Sequence, residues 1–230
     1  MDAGLYIAAQ GMLAEQVRQT DLSNNLANAS TPGYKAQEAE QQSFGSLLLQ
    51  NSTNGQSIGS LQTGVDIARQ VTDTAAAPLE STGQPLDFAI SGEGYFAVRT
   101  PEGVRYTQDG QFSENNRGQL TDGSGNLVLS QAGQPIPVNA KGTVEPSALG
   151  VFDLNNASEQ GDNLFTGTAA GRGTGVVHSG ELEQSGVDPI STMTDMIASL
   201  RAYQAGQSAI QSIDQTMQED ATNVGSLQGG

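Results

Sequence analysis

The sequence of 230 residues contains no cysteine and no tryptophan, and aromatic residues make up only 5% of it. The absence of cysteine excludes disulfide bonds, zinc sites built from thiolates and thiol nucleophiles. With few large aromatic side chains and 29 glycines, the chain is expected to have a thin hydrophobic core and a backbone that turns often. This composition favours short strands and loops.

Basic residues are also scarce, since 9 Lys and Arg stand against 25 Asp and Glu, for a formal net charge of −16. A chain with this charge repels nucleic-acid phosphates and anionic lipid surfaces, so we expect neither as a partner. No apolar run approaches the roughly 18 residues of a membrane-spanning helix. The first 13 residues also lack a basic stretch ahead of an apolar one, so we expect no membrane span and no cleaved signal peptide.

The first residues predict an amphipathic helix of about 25 residues, because apolar or small side chains recur at alternating steps of three and four. Asp2 is a candidate N-cap. The helix must end before Thr31-Pro32-Gly33, because proline disfavours helical geometry in the residue that precedes it. The stripe consists of Leu5, Ala8, Met12, Leu22 and Leu26.

The last residues predict a second long helix with the same spacing. Asp188 reads as its N-cap and Pro189 as its first residue, where a missing N–H costs nothing. Its stripe consists of Met193, Met196, Leu200, Tyr203, Ile210 and Met217. A helix cannot bury a narrow apolar stripe alone. The two helices could pack on each other as an antiparallel hairpin, on the central domain, or on neighbouring molecules, and the spacing does not choose between these.

Residues 36–185 lack sustained helical periodicity and are rich in turn signals. Residues 95–98 and 104–107 are strand-like and flank Pro101-Glu102-Gly103, as expected for a β-hairpin. Further turns are predicted at residues 115–118 and 122–126. Residues 50–64 are rich in Ser, Gly, Asn and Gln and predict a flexible loop.

The predicted fold class is therefore α+β, with two terminal amphipathic, coiled-coil-like helices flanking a central all-β domain of short strands. Residues 1–35 form the first helix and a bend, residues 36–185 form the β-domain, and residues 186–230 form the last helix. The two end segments are expected to serve assembly.

No constellation of residues predicts catalysis, a cofactor or a metal. His178 has no acidic partner that the sequence reveals, and general base catalysis needs an orienting group. The glycines of residues 92–94 and 171–175 lack the Lys-Ser/Thr that follows a phosphate-binding loop. Residues 122–126 offer alternating oxygen ligands, but no glutamate closes a calcium loop, so a hairpin turn is the better interpretation. We expect a protein that is not an enzyme.

The end of the first helix reads Leu22-Ser23-Asn24-Asn25-Leu26-Ala27-Asn28-Ala29-Ser30-Thr31-Pro32-Gly33-Tyr34-Lys35 and resembles the signature of flagellar axial proteins of the rod and hook family. Residues 91–96 together with 106–112 are similar to the central β-domain of the FlgF and FlgG type. Residues 180–188 and 196–204 resemble the segments that lead into and form the last helix of that family.

The resemblance implies a structural subunit of the bacterial flagellar basal-body rod. It implies a helical homopolymer whose terminal helices form an inner tube around the export channel and transmit torque, with the β-domain facing outward. The implied partners are copies of the chain, other rod and hook axial proteins and the flagellar type III export apparatus. The implied location is extracytoplasmic, in the basal body, after export without a cleaved signal peptide.

The residues assigned to assembly share the two helical stripes: Leu5, Met12, Leu22, Leu26, Met193, Met196, Leu200, Tyr203, Ile210 and Met217. Each also has an interpretation as intrachain helix packing. The residues assigned to the family motif and its bend are Asn24, Asn25, Asn28, Thr31, Pro32, Gly33 and Tyr34. These could build the junction into the β-domain or touch a neighbouring subunit.

Two other functions remain open at this point. One is a soluble cap or binding module of the same apparatus, whose helices would close on each other in a stable monomer. The other is an enzyme of the cell envelope, which should show paired carboxylates or a similar catalytic set.

Overall fold

The computed structural model describes residues 3–43, 46–50, 57–62, 65–161 and 163–227, and the side chains of residues 4–40, 71–161 and 163–219. Two helices, α1 (Ala3–Ala27) and α2 (Pro189–Leu227), flank a β-rich region, so the predicted α+β class is confirmed. In chain order the strands are β1 (Gln37–Ser43), β2 (Ser46–Gln50), β3 (Ser57–Gln62), β4 (Val65–Thr72), β5 (Leu79–Ser81), β6 (Phe88–Ser91), β7 (Tyr95–Thr100), β8 (Gly103–Thr107), β9 (Ser113–Glu114), β10 (Leu120–Thr121), β11 (Leu127–Leu129), β12 (Val151–Glu159), β13 (Phe165–Arg172), β14 (Val176–Ser179) and β15 (Glu181–Glu183).

The chain divides into two compact units. The first unit contains residues 1–26, 37–71 and 189–230, and the second contains residues 27–36 and 72–188. The family motif is therefore split, because its last residues belong to the second unit. The assignment of residues 1–35 and 186–230 to assembly remains a prediction, since compactness does not test which residues assemble.

In the first unit, both helices have the termini that their capping and breaking residues predict. Helix α1 ends at Ala27, before Thr31-Pro32-Gly33, and α2 begins at Pro189. The predicted N-cap Asp2 lies outside the described residues. Among the described residues, neither helix is long and apolar enough to cross a membrane.

The two helices pack antiparallel within the chain. Ser199 Oγ donates a hydrogen bond to the carbonyl oxygen of Glu15 at 3.2 Å. A Cβ on Gly206 would lie 2.8 Å from Met12 Cγ, and one on Gly4 would lie 3.6 Å from Ile213 Cδ1. Positions early in α1 thus face positions late in α2, which is the hairpin arrangement that the spacing alone left open.

Strands β1 and β4 pair in the first unit, and β2 pairs antiparallel with β3. The loop predicted for residues 50–64 is therefore wrong for Ser57–Gln62, which forms β3. Backbone N–H and C=O groups form a strand ladder with almost any side chains, so polar composition did not decide the structure there. Residues 51–56 and 63–64 of that prediction lie outside the described residues.

The second unit contains a sheet in the order β12, β13, β8, β7, β11, β10 and β9. Strand β12 also pairs with β7, so β12, β13, β8 and β7 close into a ring. The predicted hairpin is confirmed by the antiparallel pairing of β7 with β8, in which Ala97 faces Tyr106. The buried core of this unit consists of Phe88, Ile90, Phe96, Val98, Phe112, Leu120, Val128, Ile136, Val144, Leu149 and Val151.

The two predicted turns between the short strands are confirmed, and side chains hold both. Asn115 Oδ1 accepts hydrogen bonds from the amides of Arg117 and Gln119, at 2.9 and 3.0 Å. Asp122 Oδ1 accepts from the amides of Ser124 and Asn126, at 3.0 and 2.8 Å. The Asp122 carboxylate therefore stabilises its own turn, as the hairpin interpretation expects.

Gly110 lies where the backbone of β6 passes closest to the loop before β9. The Phe88 amide donates to the Gly110 carbonyl at 3.0 Å. A Cβ on Gly110 would overlap the Phe88 carbonyl oxygen at 1.6 Å, so no side chain fits without separating the two segments.

We predict that Gly110→Ala lowers the free energy of unfolding of the second unit by about 3 kcal/mol or more, the upper part of the range for overpacking. Gly123→Ala is the matched control, because a Cβ at that turn position has no neighbour within 4 Å. Urea unfolding followed through the amide signals of the sheet measures both changes. Equal stability of the two variants would contradict the close approach at Gly110.

Candidate assembly site

The end of the family motif is buried in the second unit. Tyr34 is 4% exposed and Lys35 is 2% exposed. The Gly33 amide donates to the Glu183 carbonyl, and the Gly186 amide donates to the Tyr34 carbonyl, both at 2.9 Å. The segment after α1 therefore pairs with the segment that leads into α2.

A buried ion pair lies at the centre of this pairing. Lys35 Nζ lies 2.8 Å from Glu183 Oε1, and both side chains are almost fully buried. Lys35 Nζ also donates to the Ala75 carbonyl at 2.7 Å, and the Ala77 amide donates to Glu183 Oε1 at 2.7 Å. We call these four residues, Lys35, Ala75, Ala77 and Glu183, the clasp. Both charges are paired and hydrogen-bonded, which a buried ion pair requires.

Neither the spacing nor the composition of the sequence indicates the clasp. Lys35 is the last residue of the family motif and Glu183 lies in a second matching segment, but the two are 148 residues apart. A single sequence carries no signal that two such residues pair. The one local signal is a lysine immediately after a Pro-Gly-Tyr turn, and this signal does not indicate which residue the lysine pairs with.

The bend residues that follow α1 all lie in the second unit. Gly33 has a φ of 65°, and a Cβ there would lie 2.5 Å from the Gln108 carbonyl oxygen, so this position requires glycine. Asn163 Nδ2 donates to the Pro32 carbonyl at 3.5 Å, and Thr31 Oγ1 donates to Asn28 Oδ1 at 3.1 Å. This side of the predicted bend is a packed junction.

The two motif residues inside α1 lie in the first unit. Asn25 is buried, and its side chain makes two hydrogen bonds with the backbone of Gln37. Asn25 Nδ2 donates to the Gln37 carbonyl at 2.8 Å, and the Gln37 amide donates to Asn25 Oδ1 at 3.0 Å. Asn24 is exposed. The Asn25 side-chain amide thus pairs with the N–H and C=O of Gln37 as a neighbouring strand would, and it holds the start of β1 against the end of α1.

Burial raises the pKa of two groups in the second unit. The pKa of Tyr95 is raised by burial first, and then by the negative charges of Asp153 and Glu183. Burial also raises the pKa of Asp109, with contributions from Asp122 and Asp87, while the Gln111 amide acts in the opposite direction. In both cases the main cause is desolvation by the fold.

Helix α2 carries apolar residues on two faces. Ser199, Gly206 and Ile213 lie against α1. By helical periodicity the same side of α2 also carries Thr192, Met196, Tyr203, Ile210 and Met217. Thr192 and Ser199 are buried, and the other residues on this side are half-buried. The other face is exposed and carries what we call the α2 strip: Ile190, Met193, Ile197 and Leu200, with exposed fractions of 78%, 51%, 54% and 43%. Four of the six predicted C-terminal residues thus lie on the first face, and Met193 and Leu200 lie on the second.

Helix α1 also carries apolar residues on two faces, one half-buried and one exposed. The predicted residues Leu5, Met12, Leu22 and Leu26 are half-buried in the first unit, and Ala14 is buried. An exposed α1 strip consists of Tyr6, Leu13 and Val17, with exposed fractions of 61%, 61% and 40%. This strip is absent from the predicted assembly residues, although Leu13 and Val17 follow helical spacing.

His178 requires a correction. The sequence showed no acidic partner, but the structure places Glu181 Oε2 3.9 Å from His178 Nδ1, with both side chains partly exposed. The turn at Gly180, with a φ of 80°, brings the two together. This distance exceeds a hydrogen bond. Among the described residues, no group of three His, Asp or Glu side chains is placed to hold a metal ion.

Three family models match the chain. Residues 5–35 match the flagella basal body rod protein, residues 89–149 match the D1 domain of the flagellar hook protein FlgE/F/G, and residues 178–224 match the C-terminal part of the flagellar basal body rod FlgEFG protein. The first match ends on Lys35 and the third contains Glu183, so the two clasp charges lie in separate matched segments.

Several curated proteins are similar along most of their length. The flagellar basal-body rod protein FlgG of Caulobacter vibrioides is 33% identical, over 93% of this chain and 96% of that protein. The flagellar hook-basal body complex protein FlhO of Bacillus subtilis is 32% identical, over 97% and 99%. The rod protein FlgF of Caulobacter vibrioides is 31% identical, over 89% and 91%. These names describe parts of the flagellum, and none of them describes an enzymatic activity.

We predict that Lys35→Met lowers the free energy of unfolding of the second unit by about 3–5 kcal/mol, because Glu183 is left as an uncompensated buried charge. The double variant Lys35→Met, Glu183→Gln should recover part of this loss, since Gln keeps an oxygen acceptor for the Ala77 amide without the charge. Lys141→Met, at an exposed lysine, is the control and should change stability by less than about 0.5 kcal/mol. Urea unfolding measures all three, and a Lys35→Met chain as stable as the control would rule out the buried pair.

Proposed function

Because this chain belongs to the family of flagellar basal-body rod and hook proteins, we propose that it is a structural subunit that polymerises into the rod through its terminal helices. The observation that carries this proposal is the α2 strip. Four large apolar side chains, each at least 43% exposed, lie along the first three turns of one helix. Contiguous exposed apolar surface of this kind marks interaction sites.

The burial pattern supports an amphipathic, coiled-coil-like role for the helices. Met196, Tyr203, Ile210 and Met217 are seven residues apart and half-buried, as in a heptad seam. This seam lies on the side of α2 that packs on α1 of the same chain, whereas the α2 strip and the α1 strip are exposed and would form the contacts with other subunits. On this proposal, the ten residues assigned to assembly divide into a hairpin seam and a contact surface.

On this proposal the helices of many copies form the axial tube that surrounds the export channel and transmits torque. Its proposed partners are other rod and hook axial proteins, at the two ends of the rod section that it builds, and the flagellar export apparatus, which would deliver it to the rod. We propose no catalytic activity, and His178 has no assigned role.

One observation favours the alternative of a closed cap or binding module. Helices α1 and α2 already pack on each other through Ser199, Gly206 and Met12, which a stable monomer would need. The two functions differ in what the exposed strips do. In a closed module they contact solvent or an unrelated partner, whereas in a rod subunit they are required for polymerisation.

We predict that Leu200→Asp abolishes polymerisation and swimming while leaving the second unit folded. Burial of Leu200 against a neighbour contributes about 2 kcal/mol, and desolvating a carboxylate there costs several kcal/mol more. Because Leu200 is 43% exposed, the isolated chain should tolerate the charge.

Ala205→Asp is the matched control. Ala205 is exposed on α2 but points away from both the α2 strip and the seam, and Arg201 precedes it by one turn. Both variants would be expressed in a strain that lacks the wild-type chain, with swimming scored and purified protein examined for filaments by electron microscopy. Normal rods and swimming with Leu200→Asp would exclude the α2 strip as a contact.

A further inference from the structure

The chain passes between its two compact units four times, at residues 26/27, 36/37, 71/72 and 188/189. Any force that reaches the second unit along the covalent chain enters through these four crossings. We call the residues of the second unit that lie beside these crossings the roots, because the covalent chain holds the second unit through them. We name them by their position: the first root at Asn28, the second at residues 33–36, the third at residues 73–78 and the fourth at residues 183–186.

The second and fourth roots are held together directly. The Lys35–Glu183 ion pair joins their side chains at 2.8 Å. On either side of it the Gly33 amide donates to the Glu183 carbonyl and the Gly186 amide donates to the Tyr34 carbonyl. These bonds connect the chain arriving from α1 with the chain departing into α2.

The third root joins the same cluster from both sides. The Asp73 amide donates to the Ala36 carbonyl at 2.8 Å, and Lys35 Nζ donates to the Ala75 carbonyl. The Ala77 amide donates to Glu183 Oε1, and the Gln184 amide donates to the Pro78 carbonyl at 2.9 Å. The third root is thereby bonded to the second and to the fourth.

The first root completes the set, because Ser185 Oγ donates to the Asn28 carbonyl at 3.0 Å. All four roots are thus linked within a few residues of the clasp. We infer that the clasp is a mechanical joint within the second unit, where the loads from all four crossings meet. The inference rests on the proposed function only for the source of the load, which would be rod torque.

The chemistry of the clasp fits a joint better than it fits a source of stability. A buried ion pair is often no more stable than well-packed apolar side chains of the same volume. What the pair adds is geometry, because an ammonium group and a carboxylate that must also satisfy two backbone groups have few arrangements that pair every atom. Apolar side chains at these positions would let the roots slide, whereas the pair holds them in one register.

A pulling experiment on the full chain tests this inference. The chain has no cysteine, so handles attach only at Ser23→Cys on α1 and Thr194→Cys on α2, both exposed positions a few residues from a crossing. We expect a distinct first rupture when the clasp opens, before the sheet unfolds. Lys35→Met should lose this rupture, and the double variant with Glu183→Gln should lose it too while remaining folded.

The control is Ile136→Ala, which creates a cavity in the core of the same unit, at a residue that is 2% exposed and outside the four roots. It should lower the stability of the sheet and leave the force of the first rupture unchanged. The inference is overturned if Ile136→Ala weakens the first rupture as much as Lys35→Met does, or if the wild-type chain shows no first rupture. A filament assay on the same proteins decides polymerisation separately, so failure of the rod proposal and failure of the joint are distinguishable.

Discussion

The buried ion pair between Lys35 and Glu183 is the interaction on which the register of the joined chain segments in the second unit depends. It brings together segments that are 148 residues apart, and it satisfies two backbone groups from a third segment at the same time. Neither charge can remain buried without the other. The Pro-Gly-Tyr turn before Lys35 serves this pairing. Because Gly33 has no side chain, the turn can lie against the Gln108 backbone, and the residues that follow it reach the buried position of the ion pair.

Where the signal is local, the sequence was sufficient to predict the fold. Pro189 marks the start of α2, the Thr31-Pro32-Gly33 turn follows the end of α1, and the hairpin across residues 101–102 forms as its turn residues indicate. The strand at Ser57–Gln62 was missed because its polar composition resembles that of a loop, whereas its stability comes from pairing with Ser46–Gln50. The clasp was missed because pairing over such a separation leaves no periodic or local pattern.

The faces of the helices could be predicted only in part. The seam of α2 includes Ser199 and Gly206, whose small side chains allow α1 to approach closely, while the larger Leu200 remains exposed. Hydrophobic spacing alone assigns Leu200 to the seam, because apolar residues occur on both faces and only packing tells them apart. One face of α2 closes the hairpin with α1, and the other is the surface that we propose for contact with a neighbouring copy.

Amide hydrogen exchange of the isolated chain tests the central claim most directly, because it compares the clasp with the core of the same unit. The amides of Gly33 and Gly186 donate across the two paired segments, and the amide of Leu120 donates to the carbonyl of Ile136, another residue of the buried core. If the ion pair holds the segments as described, the amides of Gly33 and Gly186 should exchange far more slowly than the amides of exposed loops, and Leu120 gives the rate that is set by unfolding of the core. Exchange of Gly33 and Gly186 at the rate of exposed loops, while Leu120 remains protected, would contradict the account.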